Sequence, residues 1–531
     1  MTQRDLATEP NVLLVFPRFV ANSFWSMTAA CELWGAKASC PPLGLITVAA
    51  LLPQSWTFRL IDRNVEDLAD ADLAWADVVL TGGMLPQRDD ALRLIERIRA
   101  AGKPVVVGGP DAISCPDVYA AADFRVLGEA EGLIDRFVAA WRAGERSGTY
   151  EAPSGSADVT AAPIPRFDLI DFSNYLYVGV QFSRGCPFTC EFCDIIEIYG
   201  RVPRPKTNDQ MLGELQRLYD MGHRGHVDFV DDNLIGNKKA LRRFLPVLAA
   251  WQKERAWPFA FSTEASLNLS DDPELLALMK ACNFFVVFVG IESPDTATLV
   301  SAQKKQNTRR DIAASVHRIY GAGMFVIAGF IVGFDTETGT VAEEMIACVR
   351  ETSIPVAMVG LLTALPATQL RRRLEAEGRM LPDPEEMPPD HCFGGLNFVP
   401  TRPAAEVLRD YREIIRTIFA PEEFFARALH VGLALDRPTY RIEIYPRLLL
   451  RDLKLLVRLI WTMTVDHPEM RRPFWKTSLT TLRRNPRAFE FVAFQMVMYL
   501  HLRPFSQKVI AAIDARIVEI AAAAPDGLAA E

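Results

Sequence analysis

Three cysteines lie within eight residues of one another in the segment SRGCPFTCEFC, at positions 186, 190 and 193. The other six cysteines occur singly along the chain. Thiolates are soft ligands that suit zinc and iron–sulfur clusters, so the C-x3-C-x2-C spacing of Cys186, Cys190 and Cys193 predicts a metal site. The single cysteines are typical of reduced thiols rather than of a disulfide framework.

The number of clustered cysteines separates two kinds of metal site. A structural zinc site needs four ligands, and the fourth would have to be His223 or His226, which belong to the next β/α unit. A four-iron cluster held by three cysteines leaves one iron open to another ligand, which is a catalytic arrangement. The spacing favours the iron–sulfur cluster, with zinc as the alternative.

The elements around these cysteines are predicted to form a (β/α) barrel, partial or complete, over residues 177–370. Six apolar runs, the first YVGVQFSRG and the last AMVGLLTALP, are separated by amphipathic helical stretches. Sites in such barrels lie at the carboxyl ends of the strands. Any one polar residue there could be a helix cap, but their recurrence at successive strands favours a site. These polar residues are Asp231, Asp232, Asn233, Glu264, Glu292, Ser293 and Asp335.

Residues 1–148 show an earlier alternation of strands and helices, which predicts an α/β fold with a doubly wound, Rossmann-like parallel sheet. Such sheets bind ligands at the carboxyl ends of their strands. Pro42, Gly82, Gly83, Gly108 and Gly109 would lie there. The alternative is that these glycines only make tight turns. Residues 149–176, which begin with a stretch rich in Ser, Gly, Pro and Ala, are predicted to be a linker.

Beyond residue 370 the strand pattern fades, and residues 371–531 are predicted to form a helical domain. Between positions 437 and 487 there are twelve Arg or Lys and four Asp or Glu, although the whole chain carries a net charge of −8. Apolar residues alternate with the basic ones, as in PRLLLRDLKLLVRLIW. Such basic amphipathic helices suit a membrane surface or an apolar substrate. The alternative is a basic helical face that packs against the acidic body.

Composition restricts the classes of function further. Half of the 531 residues are hydrophobic and 23% are charged, which predicts large cores and excludes global disorder. The negative net charge gives no case for nucleic-acid binding. No secretory signal pattern is visible, and no run reaches the roughly 18 apolar residues of a spanning helix. We therefore expect a cytoplasmic protein, with a peripheral contact at the inner face of the membrane as one option for its basic helices.

The cysteine segment resembles the signature of the radical S-adenosylmethionine (radical SAM) enzymes, C-x3-C-x-aromatic-C, with Phe192 as the aromatic residue. The resemblance implies a [4Fe-4S] cluster on the three cysteines, whose open iron binds SAM. One-electron reduction of SAM would then yield a 5′-deoxyadenosyl radical. The family's Gly-Gly-Glu-like segment reads VDDN here, which puts the separate roles of its two aspartates in doubt. The implied SAM contacts are Phe192, Asp231, Asp232, Glu264, Glu292, Ile331 and Gly333.

A doubly wound domain before such a barrel resembles the cobalamin-binding domain of the B12-dependent radical SAM class. The segments CPPLGL, VVVGGPD and LGEAE match segments common in that class. Because the first histidine of the chain is His223, the lower face of the cobalt would be open or met by another group such as Gln87. The alternative is a domain that has lost its cofactor. The implied cobalamin contacts are Pro42, Gly44, Gln87, Gly108, Gly109 and Glu129.

Together these resemblances imply a cobalamin-dependent radical SAM methyltransferase that methylates an unactivated carbon of an apolar small-molecule or lipid substrate. A flavodoxin or ferredoxin would supply the electrons, and no catalytic residue beyond the cofactor contacts is predicted. One alternative is a B12-dependent radical SAM enzyme that catalyses a rearrangement or cyclisation without methyl transfer. Another is a non-enzymatic cobalamin sensor, which the three-cysteine motif argues against because a sensor needs no open iron.

Overall fold

The computed structural model describes residues 9–20, 23–382, 392–393, 396–438, 440 and 446–523. The chain forms two compact units. The first consists of Met1–Phe188 and Cys193–Glu264, and the second of Thr189–Phe192 and Ala265–Glu531. Both units are thus built from two separate stretches of chain.

The first unit contains a six-stranded parallel sheet with the order β2-β1-β3-β4-β5-β6. The strands are β1 (Asn11–Phe16), β2 (Thr57–Asp62), β3 (Val78–Gly82), β4 (Val105–Gly108), β5 (Phe124–Leu127) and β6 (Gly148–Glu151). The helices are α1 (Thr28–Trp34), α2 (Leu43–Leu51), α3 (Asp70–Trp75), α4 (Arg88–Ala100), α5 (Pro110–Ser114) and α6 (Ala130–Arg142). The strand order reverses at β1, so the predicted doubly wound sheet is confirmed.

Helices cover both faces of this sheet because β1 is apolar on both sides. Val12 and Leu14 are buried in the core cluster that includes α2 and α6. Leu13 and Val15 are buried in a second cluster, which includes α3 and α4. Successive side chains of a strand point to opposite faces, so a wholly apolar strand requires cover on both.

The segment predicted as a linker is packed rather than free. Residues 149–176 contain most of β6 and three short 3-10 turns. Phe167 is completely buried, and the backbone N–H of Arg166 donates to the carbonyl of Ile46 at 3.0 Å. The segment is therefore fixed to the sheet domain of the first unit.

The first unit also carries the beginning of the second strand series. Its strands are β7 (Val178–Val180), β8 (Ser183–Arg184), β9 (Arg204–Pro205), β10 (Gly225–Phe229) and β11 (Phe259–Glu264), and its helices are α7 (Ile195–Ile198), α8 (Asn208–Asp220) and α9 (Lys238–Glu254). β7, β10 and β11 are parallel neighbours in that order. β8 and β9 form a short antiparallel pair on either side of the cysteine segment.

The second unit continues the series with three parallel strands. They are β12 (Phe284–Glu292), β13 (Phe325–Val332) and β14 (Val356–Leu361). The accompanying helices are α10 (Pro273–Ala281), α11 (Thr296–Ser301), α12 (Ile312–Gly321), α13 (Val341–Thr352) and α14 (Gln369–Ala376). The six strands predicted between residues 177 and 370 are all present, in the predicted order.

Helices dominate the rest of the second unit, as predicted. They are α15 (Ala404–Ile418), α16 (Pro421–Ala434), α17 (Pro446–Trp461), α18 (Arg471–Arg484) and α19 (Phe489–Ala523). The buried Arg437 ties this region to the strands, since it donates to the carbonyls of Phe284 and Gly323 at 2.8 and 2.9 Å. None of the described helices combines the length and the apolar character needed to cross a bilayer.

Candidate active site

The cysteine segment begins at a tightly constrained backbone position. Gly185 has a φ of +95°, and an added Cβ would lie 2.9 Å from the carbonyl oxygen of Gly200. The backbone N–H of Cys186 donates to the same carbonyl at 3.2 Å, while that of Gly185 donates to Asp232 at 2.8 Å. Only glycine adopts this conformation without strain, so the loop shape is set one residue before the first cysteine.

Arg184 anchors this position to the N-terminal sheet domain. Its guanidinium makes two contacts of 2.8 Å with the carboxylate of Glu131 and one of 3.2 Å with Glu129. Burial raises the pKa of Glu131, but the hydrogen bond and charge of Arg184 outweigh it and the net shift is downward. Glu129 also contacts Arg204 at 2.9 Å. Glu129, predicted to contact cobalamin, therefore helps to position the cysteine segment, and its cobalamin contact stays a prediction.

Amide side chains donate hydrogen bonds to two of the cysteine sulfurs. In the first unit, Asn233 Nδ2 lies 3.8 Å from Cys186 Sγ. In the second, Gln306 Nε2 lies 3.6 Å from Cys190 Sγ, and Cys190 is buried. None of the nine cysteines, all of which lie within the described residues, forms a disulfide. Hydrogen bonds to sulfur favour the thiolate and tune the potential of an iron–sulfur cluster, so this donor set fits a cluster.

The two histidines considered for the zinc alternative make hydrogen bonds within the first unit. His223 Nε2 lies 3.1 Å from the carbonyl oxygen of His226, and His226 Nε2 lies 2.6 Å from Ser262 Oγ. Within the described residues, no group of three or more His, Cys, Asp or Glu side chains is gathered as a metal site. The cluster assignment of Cys186, Cys190 and Cys193 therefore depends on the motif.

Four carboxyl groups of the first unit lie at or next to the carboxyl ends of β10 and β11. Asp231 accepts hydrogen bonds from the backbone N–H groups of Phe182 and Ser183 at 2.9 and 2.5 Å. Burial raises the pKa of Asp231 to about 7 and those of Asp228 and Asp232 to about 6. Burial, followed by the nearby aspartates, also raises the pKa of Glu264 well above its usual value.

Such a group of carboxylates is suited to a cationic ligand, because a bound positive charge would offset both burial and mutual repulsion. SAM carries a sulfonium and an ammonium group. The structure therefore brings Asp231, Asp232 and Glu264 together as the sequence predicted. Asp228 is an addition that the sequence did not single out.

A row of hydrogen-bonded polar side chains lies beside Asp228 and was not predicted from the sequence. Ser262 Oγ donates to Asp228 and lies against His226, whose ring packs on Tyr177 with centroids 4.9 Å apart. Burial lowers the pKa of His226 to about 3, so the imidazole is neutral. The available signal was the alternation of polar and apolar residues in GHVDF and FAFST, which places polar side chains on one strand face.

Glu292 ends β12 in a strained conformation. Its φ is +69°, and the strand register shifts between Gly290 and Glu292. Lys304 Nζ contacts its carboxylate at 2.6 Å, and Asn307 Nδ2 donates to the carbonyl of Gly290 at 3.0 Å. Strain of this kind is retained where the surroundings fix it, often at functional sites. The SAM contact predicted for Glu292 stays a prediction.

The other predicted SAM contacts of the second unit share one apolar cluster. Phe192 and Ile331 pack on the buried core around Phe334, and the rings of Phe192 and Phe334 meet edge to face at 5.9 Å. Gly333 has a φ of +114° and donates its N–H to Glu337 at 2.8 Å. Phe192 and Ile331 thus pack on one apolar cluster, and the SAM contacts of Phe192, Ile331 and Gly333 stay predictions.

The predicted cobalamin residues lie at the carboxyl edge of the N-terminal sheet. A Cβ added at Gly82 would lie 2.3 Å from the carbonyl oxygen of Gly108, and Gly109 has a φ of +92°. Backbone packing and turn geometry therefore explain these glycines without a ligand. Gly44 differs, because an added Cβ there would meet no protein atom within 4 Å. It lies two residues after Pro42, near the start of α2, and among the glycines predicted to contact cobalamin it is the one at which an added Cβ would meet open space.

Gln87 already has two partners in the protein. Its Nε2 donates to the carbonyl of Pro17 at 2.6 Å, and its Oε1 accepts from the N–H of Met84 at 3.1 Å. Its side chain is almost completely buried. These bonds close the loop after β3, and a role below cobalt stays a prediction.

Comparison with known proteins agrees with this geometry. The family described as "Radical SAM superfamily" matches residues 180–349, and "Domain of unknown function (DUF4070)" matches residues 368–515. An uncharacterized methyltransferase of Synechocystis sp. is 44% identical, over 90% of this chain and 88% of its own. The hopanoid C-2 methylase of Rhodopseudomonas palustris is 34% identical, over 93% of both chains.

Solved structures also match nearly the whole chain. The cobalamin-dependent SAM radical enzyme OxsB, with aqua-cobalamin and SAM bound, superposes with a TM-score of 0.60 at 14% identity, covering 96% of this chain and 81% of its own. The fold and the cysteine segment define a radical SAM enzyme with a preceding doubly wound domain. The chain belongs to the radical SAM superfamily, and with its methyltransferase relatives it is a radical SAM methyltransferase.

Proposed function

We propose that the enzyme is a cobalamin-dependent radical SAM methyltransferase that methylates an unactivated carbon of a hopanoid-type lipid, at C-2. The observation that carries the proposal is the 34% identity with hopanoid C-2 methylase over 93% of the chain. That similarity extends over nearly the whole chain and is not confined to residues 180–349, which the radical SAM family matches. We retain the division into residues 1–148, 149–176, 177–370 and 371–531 as part of the proposal.

Within this proposal, Cys186, Cys190 and Cys193 hold the [4Fe-4S] cluster. When bound, the cluster and cobalamin supply electron transfer to SAM and carriage of the methyl group. The protein's own contribution is positional and electrostatic. The carboxylates after β10 and β11 hold the cationic groups of SAM, and the Glu131–Arg184 pair fixes the start of the cysteine segment.

Cobalamin is proposed to lie over the carboxyl edge of the N-terminal sheet, near Gly44. The switch point between β1 and β3 is where open α/β sheets bind their ligands. Because no histidine precedes His223, the protein offers no imidazole to the cobalt from this domain. A flavodoxin or ferredoxin is proposed as the reductant, and the cytoplasm as the compartment.

The experiment that tests the proposed function is deletion of the gene, followed by comparison of the cell's lipids by mass. Loss of a lipid that is one CH2 heavier than its precursor, restored by the wild-type gene but not by a Cys186→Ala copy, is the expected result. An unchanged lipid profile with a different small metabolite missing would reject the hopanoid substrate. A missing product of the same mass as its precursor would favour the rearrangement alternative.

A further inference from the structure

Helix α17 presents large apolar side chains to solvent. Leu449, Leu450, Leu453, Val457 and Trp461 are each between 54% and 60% exposed. Single exposed apolar residues are normal on a protein surface, whereas a contiguous group marks an interaction site. These five belong to one helix of 16 residues.

The helical positions of these residues place them on one side. At about 100° per residue, the five exposed apolar side chains fall within an arc of roughly 120°. Three basic residues, Arg451, Lys454 and Arg458, fall in the adjoining arc of roughly 60°. We call these two arcs together the α17 surface. An apolar arc bordered by Arg and Lys is the pattern of a helix that lies in the plane of a membrane interface.

The remaining side of α17 faces the protein. Leu459 is 2% exposed, and Met463, in the π-helical turn Thr462–Asp466 that follows, is fully buried. The α17 surface therefore lies on the side of the helix away from the buried Leu459.

We infer that the α17 surface is a docking site for an anionic lipid bilayer. The basic arc supplies the charge that complements anionic headgroups, and long basic side chains reach headgroups while the neighbouring apolar ones enter the acyl boundary. A packing role for the basic helix against the acidic body, the alternative raised by the sequence, does not account for the exposed apolar arc. The inference does not depend on the identity of the methylated substrate.

The test is flotation of the full-length protein with vesicles of phosphatidylcholine alone or with phosphatidylglycerol, none of them containing a hopanoid. Wild type should float with the anionic vesicles at low salt, and less at high salt because salt screens the charges. The Lys454→Glu/Arg458→Glu variant and the Leu453→Gln/Val457→Gln variant should each bind roughly tenfold more weakly. These positions are exposed, so the variants should fold, which circular dichroism checks.

Matched controls place the same changes elsewhere on exposed helical positions. Arg99→Glu/Lys253→Glu reproduces the charge change, and Val300→Gln/Val518→Gln reproduces the apolar one. Both controls should float like wild type. Wild type that stays unbound at low salt, or controls that lose binding as strongly as the α17 variants, would overturn the inference. So would light scattering that shows a dimer dissociated by Leu453→Gln/Val457→Gln, since a second copy would then cover the surface.

Failure of the docking surface can be distinguished from failure of the proposed function. If the vesicles are not bound but detergent-dispersed lipid is still methylated, the docking surface fails and the proposed function stands. If the vesicles are bound but no lipid is methylated, the reverse holds.

Discussion

Asp231 accepts hydrogen bonds from Phe182 and Ser183, yet it lies beside Asp232 and Glu264, whose charges oppose its own. Burial raises its pKa to about 7. In the ligand-free protein, this raised pKa lowers the free energy of unfolding as the pH rises from about 4 to 7, because over this range the carboxyl ionises in the unfolded chain but keeps its proton in the native state. A bound cation would stabilise the ionised carboxyl and so reverse this loss of stability.

The affinity for SAM is therefore expected to increase with pH. A carboxyl with a pKa of about 7 is about one-tenth ionised at pH 6, so SAM should bind roughly tenfold more weakly at pH 6 than at pH 8. Anaerobic equilibrium dialysis of the cluster-containing enzyme measures this. An Asp231→Asn variant should bind more weakly at pH 8 and show a flatter pH profile. Equal wild-type affinity at both pH values would contradict a role for these carboxylates.

The sequence pattern predicted the carboxylates at the ends of strands. It did not predict the side chains that contact the site residues. Asp231, Asp232 and Glu264 were predictable because parallel strands bring their carboxyl ends to one edge. Lys304 against Glu292, and Gln306 against Cys190, depend on tertiary contacts that no local pattern encodes. His226 appeared as a zinc candidate, whereas the fold uses it in a buried hydrogen-bonded line.

At the scale of elements, the contact between α6 and β8 positions the cysteine segment. Glu131 lies in the first turn of α6 and Arg184 ends β8, and their side chains are only 4% and 13% exposed. Removing one partner of a buried ion pair leaves the other uncompensated. The contact is thus expected to contribute both stability and loop geometry.

Glu131→Gln is expected to cost about 3 kcal/mol of local stability at pH 7. The lowered pKa of Glu131 means that its contribution is complete above about 4.5 and is lost as the pH falls below that. The thermal midpoint of wild type and variant should therefore converge in acid. Iron content after reconstitution should fall in the variant. The control is Asp70→Asn, which breaks the exposed pair with Arg97 and should cost less than about 1 kcal/mol. A variant that melts and binds iron like wild type would refute the anchoring role.

The start of α2 offers a test of the cobalamin site. Gly44→Leu should leave the fold intact, because an added Cβ meets no protein atom and glycine is a poor helix former. If cobalamin lies there, the larger side chain should reduce the cobalamin retained after reconstitution by roughly tenfold. Absorbance of the desalted protein measures it, with Gly44→Ala as the conservative control. Full retention of cobalamin by the Gly44→Leu variant would show that the cofactor binds away from α2.

The longer elements were predictable and the shortest were not. Apolar runs that end in Gly or Pro located β1, β3 and β4, because burial on both faces leaves a continuous apolar signal. β8 and β9 have two residues each and are strands because they pair with each other. β6 begins at Gly148, next to the boundary predicted for the linker, in a stretch whose composition is typical of loops.

Each of the two compact units of the molecule combines stretches that are separate in the chain. The sequence predicted segments in chain order, whereas residues Thr189–Phe192 belong to the second unit although the residues around them belong to the first. The backbone N–H of Glu191 donates to the carbonyl of Ala302 at 3.0 Å, and its carboxylate contacts Arg373 at 2.6 Å. Contacts with residues that are distant in sequence thus place the segment that contains Cys190 in the second unit.

The enzyme is expected to transfer a methyl group to a carbon of its substrate through a radical mechanism. This transfer can be followed by the mass of the lipid product after the reconstituted enzyme is incubated anaerobically with a hopanoid, a reductant and SAM labelled with a CD3 methyl group. In the expected product one hydrogen is replaced by CD3 and 5′-deoxyadenosine forms with it, whereas the Cys186→Ala/Cys190→Ala/Cys193→Ala variant should form neither. Formation of 5′-deoxyadenosine with a lipid that carries no deuterium would contradict this expectation.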